Sequence, residues 1–275
     1  MTETRVAAFF DVDGTLLRGA STWYLAQDLY QRGYFGAKYI AYAAWYSCHY
    51  LLFGEKRKNV QKIKEHSLAV IKGKLQSDLV LIGEELYDRF IEERLFPGAL
   101  DIIAEHLQAG HEVWLVSATP QEISGQIAHR LGLTGGLGTV VEVGPDGRYT
   151  GRMPKSLLHG KAKAEAVGQL ALRRNLDLSR CYAYSDSMSD LPLFREVGYP
   201  RVVNPEPKLR RLAARRHWPI YNFAYRSPNQ SLAARLPFAL SVVIGLGWTA
   251  QILWRYVLRR LPGLPLRAWR RLRRS

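Results

Sequence analysis

The sequence contains only two cysteines among its 275 residues. Cys48 and Cys181 lie 133 positions apart in apolar surroundings, so they form neither a disulfide framework nor the paired spacing of a zinc site. The N-terminus also lacks a basic stretch followed by a long apolar run, because an acidic cluster begins at Asp11. We therefore expect no secretory signal and a chain that stays in the reducing cytoplasm.

Acidic residues are scarce in the last part of the chain. Residues 201–275 hold 16 lysines and arginines but a single acid, Glu206, whereas residues 1–200 hold 23 residues of each sign. The formal net charge of +15 therefore belongs entirely to residues 201–275. Such an excess often indicates a polyanionic partner. No nucleic-acid partner is expected here, because the bases border an apolar segment and lack aromatic side chains spaced for base stacking.

Residues 225–275 form a basic and apolar tail. Within it, residues 236–254 are 19 positions without a charge, which is just long enough to span a bilayer. Proline, glycine and flanking arginines argue against a simple transmembrane helix. A modest amphipathic pattern instead favours a helix that lies on the surface of an anionic membrane. A membrane span and a helix packed on its own domain or on a partner are the open alternatives. We expect residues 236–275 to bind the inner face of the cell membrane.

Short apolar runs alternate with helical patterns outside this tail. Strands are predicted at Val6 to Phe10, His111 to Ser117, Arg180 to Ser185, Arg201 to Asn204 and Ile220 to Phe223. Helices are predicted at Gly98 to Ala109, Thr119 to Leu131, Lys163 to Arg174 and Pro207 to Arg216. Strands that alternate with helices predict the α/β class with a doubly wound parallel sheet.

Residues 19–96 depart from that alternation. They contain no convincing strand, and helical patterns cover Trp23 to Arg32, Ala37 to Phe53, Val60 to Ile71 and Ser77 to Arg94. A helical cap inserted after the first strand accounts for them, which leaves residues 1–18 and 97–224 as the core domain. A turn signal at Pro145-Asp146-Gly147 predicts a small β-hairpin within residues 139–153.

Two pairs of aspartates follow predicted strands. Asp11 and Asp13 come directly after the first strand, where side chains two apart point to the same side, and Asp186 and Asp190 follow the third. Open α/β sheets place their ligands at this carboxyl edge. Converging carboxylates need a cation, and a hard ion such as Mg²⁺ suits oxygen ligands. An Asp-Gly turn alone would explain the first pair, but the second pair favours a metal site.

A hydroxyl group and an ammonium group complete the candidate site. Ser117 is predicted to end the second strand with Thr119 at a helix start, which is typical either of an anion site or of an ordinary N-cap. Lys163 opens a predicted helix, where a cation is unfavourable unless an anion lies opposite. Lys161 is the alternative for that role, although the apolar face of the helix favours Lys163.

These residues, in this order, resemble the haloacid dehalogenase superfamily of phosphohydrolases, in its phosphoserine-phosphatase-like branch, subfamily IB. The resemblance covers about residues 6–223 and rests on the segment Asp11-Val12-Asp13-Gly14-Thr15, on Ser117 and Lys163, on the segment Asp186-Ser187-Met188-Ser189-Asp190, and on the helical cap.

The resemblance implies a two-step phosphoryl transfer. Asp11 would be the nucleophile that forms a phosphoaspartyl intermediate, and Asp13 would be the general acid and then the general base. Ser117 and Lys163 would bind the phosphoryl oxygens. Asp11, the backbone carbonyl of Asp13 and Asp186 would hold Mg²⁺, with Asp190 in support.

The cap departs from the family's namesake at Ala20. Phosphoserine phosphatases carry a glutamate there to hold the substrate ammonium group, and this chain has aromatic residues between Tyr34 and Phe53 instead. We therefore expect a Mg²⁺-dependent phosphomonoesterase acting on a small phosphorylated metabolite or a lipid-like phosphate, rather than on phosphoserine. The alternative is a non-catalytic regulatory or membrane-recruited binding module that retains the fold, and the complete set of acids disfavours it.

Overall fold

The structure is a computed structural model that describes residues 5–36 and 68–223. One parallel sheet of six strands forms its centre, in the order β3-β2-β1-β4-β5-β6. The strands are β1 (Ala7–Phe10), β2 (Glu112–Pro120), β3 (Gly135–Thr139), β4 (Tyr182–Ser185), β5 (Tyr199–Val203) and β6 (Ile220–Tyr221). The order reverses at β1, so the crevice beside the carboxyl end of β1 is the topological switch point of the sheet.

Helices connect the strands and occur in the described parts of the insert. They are α1 (Ser21–Gln31), α2 (Gln76–Leu86), α3 (Pro97–Gln108), α4 (Gln121–Arg130), α5 (Lys161–Arg174), α6 (Leu191–Glu196) and α7 (Pro207–Arg216). A π-helical turn, Tyr87–Ile91, and a 3-10 turn, Glu92–Arg94, follow α2 directly. Among the described residues, no helix is long and apolar enough to cross a membrane.

Both faces of the central strand β1 are covered. None of its four residues exposes more than 1% of its surface. Phe9 packs with apolar side chains of α5, α6 and α7, whereas Phe10 stacks on Tyr184 with ring centroids 4.2 Å apart and meets His106 of α3 edge-on. Alternate residues of a strand point to opposite faces, so the entirely apolar sequence of β1 is that of a strand buried on both sides. The predicted α/β class with a doubly wound parallel sheet is confirmed.

Strand β2 is longer than predicted. The prediction ended this strand at Ser117 and began a helix at Thr119, but β2 runs to Pro120 and α4 begins at Gln121. Pairing of Pro120 with Thr139 of β3 keeps the chain extended, and the Thr139 hydroxyl donates to the Ala118 carbonyl at 2.7 Å. The prediction that a helix starts at Thr119 is therefore wrong, whereas Ser117 is a strand residue, as predicted.

Strand β3 was not predicted, because its sequence Gly-Gly-Leu-Gly-Thr lacks the alternating apolar pattern. Helix α4 packs directly on its backbone: a Cβ added to Gly136 would lie 2.4 Å from the Ser124 carbonyl oxygen, and one added to Gly138 would lie 2.5 Å from the Gln121 Cα. The Gln121 side chain also bonds the Gly136 carbonyl and the Gly138 N–H, both at 2.8 Å. Close approach of a helix explains a glycine-rich strand.

The predicted hairpin within residues 139–153 is present as one antiparallel bridge between Val143 and Tyr149. A second bridge joins Arg148 to Leu75, just before α2. The described parts of the insert, residues 19–36 and 68–96, are helical or form turns and isolated bridges. The predicted helix at Ala37 to Phe53, most of the one at Val60 to Ile71, and the tail 225–275 lie outside the described residues.

His106 is a buried histidine in the last turn of α3. Its Nδ1 lies 2.8 Å from Nδ1 of His111, and its Nε2 lies 2.8 Å from the Tyr184 hydroxyl. Burial lowers the pKa of His106 to about 4, and the neighbouring His111 and Arg201 add to the effect. The imidazole is therefore neutral at physiological pH and serves as a hydrogen-bonding group of the core.

We expect His106 to make the fold sensitive to acid. The histidine pKa in the unfolded chain is near 6.5, so its contribution to stability is complete above that pH and is lost as the pH falls towards 4, at most about 3 kcal/mol. Urea unfolding of the wild type and of His106→Gln between pH 7 and pH 5 measures this. The variant should lose less unfolding free energy over that range; equal losses would contradict the assignment.

Candidate active site

Three of the predicted site residues are in direct contact at the carboxyl edge of the sheet. The Lys163 ammonium donates to Asp11 Oδ1 at 2.7 Å and to Asp190 Oδ2 at 2.8 Å. Asp11 directly follows β1, Asp190 follows β4, and Lys163 lies in the first turn of α5. The topology thus places residues from three segments around one buried charge.

Burial and charge have opposing effects at this ion pair. Burial alone would lower the pKa of Lys163, but the charges of Asp11 and Asp190 outweigh it and raise the pKa, so the ammonium stays charged. Burial also raises the pKa of Asp11 to about 6, against the opposing effect of Lys163. Asp11 is therefore an ionisable carboxylate whose charge depends on the cations beside it.

The two candidate lysines are in different environments. Helix α5 begins at Lys161, two residues earlier than predicted, and the Lys161 side chain is exposed. Lys163 exposes only 4% of its surface and faces two carboxylates. A cation in the first turn of a helix is unfavourable by itself, and Asp11 and Asp190 provide the compensating negative charge. The geometry therefore favours Lys163 over Lys161.

Asp186 lies against the loop that follows β1. Gly14 has a positive φ of 79°, and a Cβ added there would lie 2.2 Å from Asp186 Oδ2. Burial and the neighbouring charge of Asp11 together raise the pKa of Asp186 to about 8. Only a residue without a side chain fits at position 14, so this glycine allows the two acid-bearing loops to touch.

The charge balance of the site calls for a further cation. Four aspartates, namely Asp11, Asp13, Asp186 and Asp190, face one ammonium group. Oδ1 of Asp190 is buried and hydrogen-bonds to none of the described residues. Oxygen donors of this kind suit a hard divalent ion such as Mg²⁺.

The implied Mg²⁺ ligands do not form a ready-made side-chain cluster. Among the described residues, no group of three or more acidic, histidine or cysteine side chains is arranged to hold a metal. The set implied by the family resemblance uses only two side-chain carboxylates as direct ligands, those of Asp11 and Asp186, together with a backbone carbonyl. The chemistry of these oxygen donors therefore fits Mg²⁺.

Asp13 is held at the start of the first cap helix. Its Oδ1 accepts a hydrogen bond from the backbone N–H of Ser21 at 2.7 Å, and Ser21 is the first residue of α1. Burial raises the pKa of Asp13, and the bonds from Ser21 oppose the rise. A partly buried carboxyl group with a raised pKa can exchange a proton, which is what a general acid and base requires.

A chain of buried hydroxyl groups joins Asp13 to Ser117. The hydroxyl oxygens of Ser117 and Thr119 lie 2.6 Å apart, and those of Thr119 and Ser21 lie 2.9 Å apart. Ser21 was not among the predicted site residues, because a serine at a helix start is typical of an N-cap. Thr119 was predicted to start a helix, whereas it is a strand residue whose side chain lies beside Ser117.

Comparisons with known proteins identify the family of the chain. A family model described as haloacid dehalogenase-like hydrolase matches residues 8–195. A phosphoserine phosphatase from Mycobacterium tuberculosis is 41% identical over 237 residues, which cover 86% of this chain and 76% of that protein. The histidinol-phosphatase of Neisseria meningitidis is 29% identical over 219 residues, covering 78% of this chain and 98% of that protein.

A solved structure from Bordetella pertussis, described as a protein of unknown function, has a TM-score of 0.72 and 30% sequence identity. The match covers 81% of this chain and 100% of that one. The chain belongs to the haloacid dehalogenase-like hydrolase family. It is an enzyme of the phosphoric monoester hydrolase class, as the sequence predicted, and the alternative of a non-catalytic binding module finds no support among these relatives.

Proposed function

We propose that the protein is a Mg²⁺-dependent phosphatase that hydrolyses phosphomonoesters through a phosphoaspartyl intermediate on Asp11. The observation that carries this proposal is the contact of the Lys163 ammonium with both Asp11 and Asp190. A partly buried carboxylate beside a buried cation at a sheet switch point is placed to meet a phosphoryl group.

In the first step an Asp11 carboxylate oxygen attacks phosphorus, and the bond from phosphorus to the ester oxygen breaks. Asp13 donates its proton to that leaving oxygen, so the alcohol departs neutral. Lys163 and Ser117 bind the non-bridging oxygens and offset the negative charge that approaches Asp11. Asp11, the carbonyl of Asp13 and Asp186 would hold Mg²⁺, which would supply further charge stabilisation to the phosphoryl group.

In the second step a water molecule attacks phosphorus of the aspartyl phosphate and gives its proton to Asp13. The bond from phosphorus to the Asp11 oxygen breaks, which releases inorganic phosphate and restores both carboxyl groups. The raised pKa of Asp13 suits a group that must hold a proton in one step and accept one in the next.

The substrate class that we propose is a small phosphorylated metabolite. The relatives named above are a phosphoserine phosphatase and a histidinol-phosphatase, and both names refer to small amino-bearing alcohols. Ala20 provides no carboxylate for an ammonium group, however, and residues 37–67 of the proposed cap lie outside the described residues. We therefore propose a phosphomonoester whose alcohol is recognised by contacts other than a carboxylate at position 20.

Phosphate release tests this proposal. The purified full chain should release phosphate from an aryl phosphate with Mg²⁺ and stop when the ion is removed with EDTA, because the acids then lose their neutralising cation. The same assay over phosphoserine, histidinol phosphate and a lysophosphatidate ranks the substrate classes. Turnover that persists unchanged in EDTA would contradict the metal-dependent mechanism.

Membrane binding by residues 236–275, and with it action on a lipid-like phosphate, stays a prediction. These residues lie outside the described part of the chain, and their composition is the sole support. Cosedimentation with anionic and with neutral vesicles tests it: the full chain should pellet with the anionic vesicles, and a chain ending at Phe223 should not. Equal sedimentation of the two chains would contradict the prediction.

A further inference from the structure

The loop after β5 touches both loops that carry the catalytic acids. Asn204 directly follows β5, and its side-chain Nδ2 donates to the Gly14 carbonyl at 3.1 Å. Gly14 belongs to the loop after β1, between Asp13 and Thr15. An amide donor can hold a carbonyl without adding charge to a site that is already rich in carboxylates.

Two residues further on, Glu206 holds the other loop. Its backbone N–H donates to the Asp186 carbonyl at 3.0 Å, and its Oε1 accepts from the backbone N–H of Met188 at 2.9 Å. The first and third residues of the acidic segment after β4 are thus tied to one residue. Glu206 is also the single acidic residue among residues 201–275.

The Asn204 end of this loop is itself anchored to the sheet. The Asn204 N–H donates to the Tyr221 carbonyl at 2.9 Å, and its Oδ1 accepts from the Phe223 N–H at 2.8 Å. Asn204 also has a φ of 42°, a conformation that asparagine tolerates better than most residues. Both polar ends of the Asn204 side chain are therefore used, and the loop has little freedom to shift.

We propose that Asn204 and Glu206 are positioning residues that set the spacing between the Asp11–Gly14 loop and the Asp186–Asp190 loop, and hence the affinity of the site for Mg²⁺. The inference deepens the proposed function and depends on it. Because Gly14 lies so close to the Asp186 carboxylate, the two loops have little room to move towards each other. Groups that orient metal ligands from outside the ligand set commonly change metal affinity by about 10- to 100-fold when they are removed.

The test compares Glu206→Ala with Glu206→Gln in the full chain. Alanine removes the acceptor for the Met188 N–H, whereas glutamine keeps an oxygen at the same distance along the side chain. Binding of Mn²⁺, measured by electron paramagnetic resonance, and the Mg²⁺ concentration that gives half-maximal activity are the two readouts. We expect at least about tenfold weaker metal binding in Glu206→Ala and nearly wild-type binding in Glu206→Gln.

Asn204 is tested with a matched control. Asn204→Gly keeps the positive φ but loses both side-chain hydrogen bonds, and we expect metal binding to weaken as in Glu206→Ala. Asn175→Gly makes the same change at another positive-φ asparagine, at the end of α5, and should leave metal binding unchanged. Wild-type metal affinity in both Glu206→Ala and Asn204→Gly would overturn the inference, as would equal losses in Glu206→Ala and Glu206→Gln.

The metal-binding readout separates this inference from the proposed function. A wild-type protein that binds no divalent ion, or that hydrolyses phosphomonoesters without one, would overturn both. A wild-type protein that binds Mn²⁺ and is activated by Mg²⁺, together with variants that bind as well as the wild type, would overturn the positioning role alone.

Discussion

Asp11→Asn is expected to abolish phosphate release while leaving the fold intact. The amide keeps the shape of the carboxylate, and its oxygen can still accept from Lys163, but it is not a nucleophile towards phosphorus. We expect kcat to fall by at least about a thousandfold, which corresponds to about 4 kcal/mol of lost transition-state stabilisation. Initial-rate measurements with saturating aryl phosphate and Mg²⁺ provide the check.

The same variant should not be less stable than the wild type at neutral pH without metal. Burial raises the pKa of Asp11 from 3.8 to about 6, so any stability linked to its protonated form is complete below pH 3.8 and is lost as the pH rises through 6. A neutral asparagine removes the free-energy cost of holding a charged carboxylate at this position. Thermal unfolding in EDTA at pH 7.5 measures it, and a clearly lower Tm in Asp11→Asn would contradict the assigned direction.

A matched control for Asp11→Asn is Asp101→Asn. Asp101 is an exposed aspartate of α3, outside the acid-bearing loops. The same chemical change there should leave kcat and Tm close to the wild-type values. Wild-type activity in Asp11→Asn would exclude Asp11 as the nucleophile, whatever the result for Asp101.

Lys163→Met is expected to have the second large effect, on both stability and activity. The change leaves Asp11 and Asp190 as neighbouring buried carboxylates without their common cation. Removing one partner of a buried ion pair costs about 3–5 kcal/mol of unfolding free energy. Loss of a charged group that binds the phosphoryl oxygens should lower kcat by about a hundredfold or more.

Lys161→Met is the control for this prediction. Lys161 is in the same turn of α5 but is exposed, so its replacement should change the unfolding free energy and kcat little. Urea unfolding and initial rates on both variants therefore decide which lysine belongs to the site. A large loss in Lys161→Met with a small one in Lys163→Met would reverse the assignment.

Much of the sheet could be predicted because apolar runs at strand spacing leave a local pattern. Strand β1 is one such case, since Ala7–Phe10 is buried on both faces and apolar throughout. Strand β3 left no such pattern, because the close packing of α4 demands glycine at Gly136 and Gly138. A sequence pattern reports which residue types are present, but not that another helix lies against their backbone.

Part of the candidate site could likewise be predicted from the sequence, and part could not. The order of Asp11, Asp13, Ser117, Lys163, Asp186 and Asp190 along the chain was sufficient to indicate the family and the class of reaction. The strand conformation of Thr119, its hydroxyl contact with Ser117 and the link to Ser21 were not predicted, because these contacts join the second strand to the start of the cap. Contacts of that kind depend on tertiary packing.

The sequence by itself determined the kind of protein: an α/β enzyme with a phosphatase set of acids at strand ends, and a separate excess of charge after residue 200. Only the tertiary structure decided which lysine faces Asp11, that burial raises the pKa of Asp11, Asp13 and Asp186, and that Asn204 and Glu206 tie the two acidic loops together. The physical reason is distance along the chain. Lys163 is 152 residues from Asp11 and Asn204 is 190 residues from Gly14, so these interactions exist only once the sheet has brought the strand ends together.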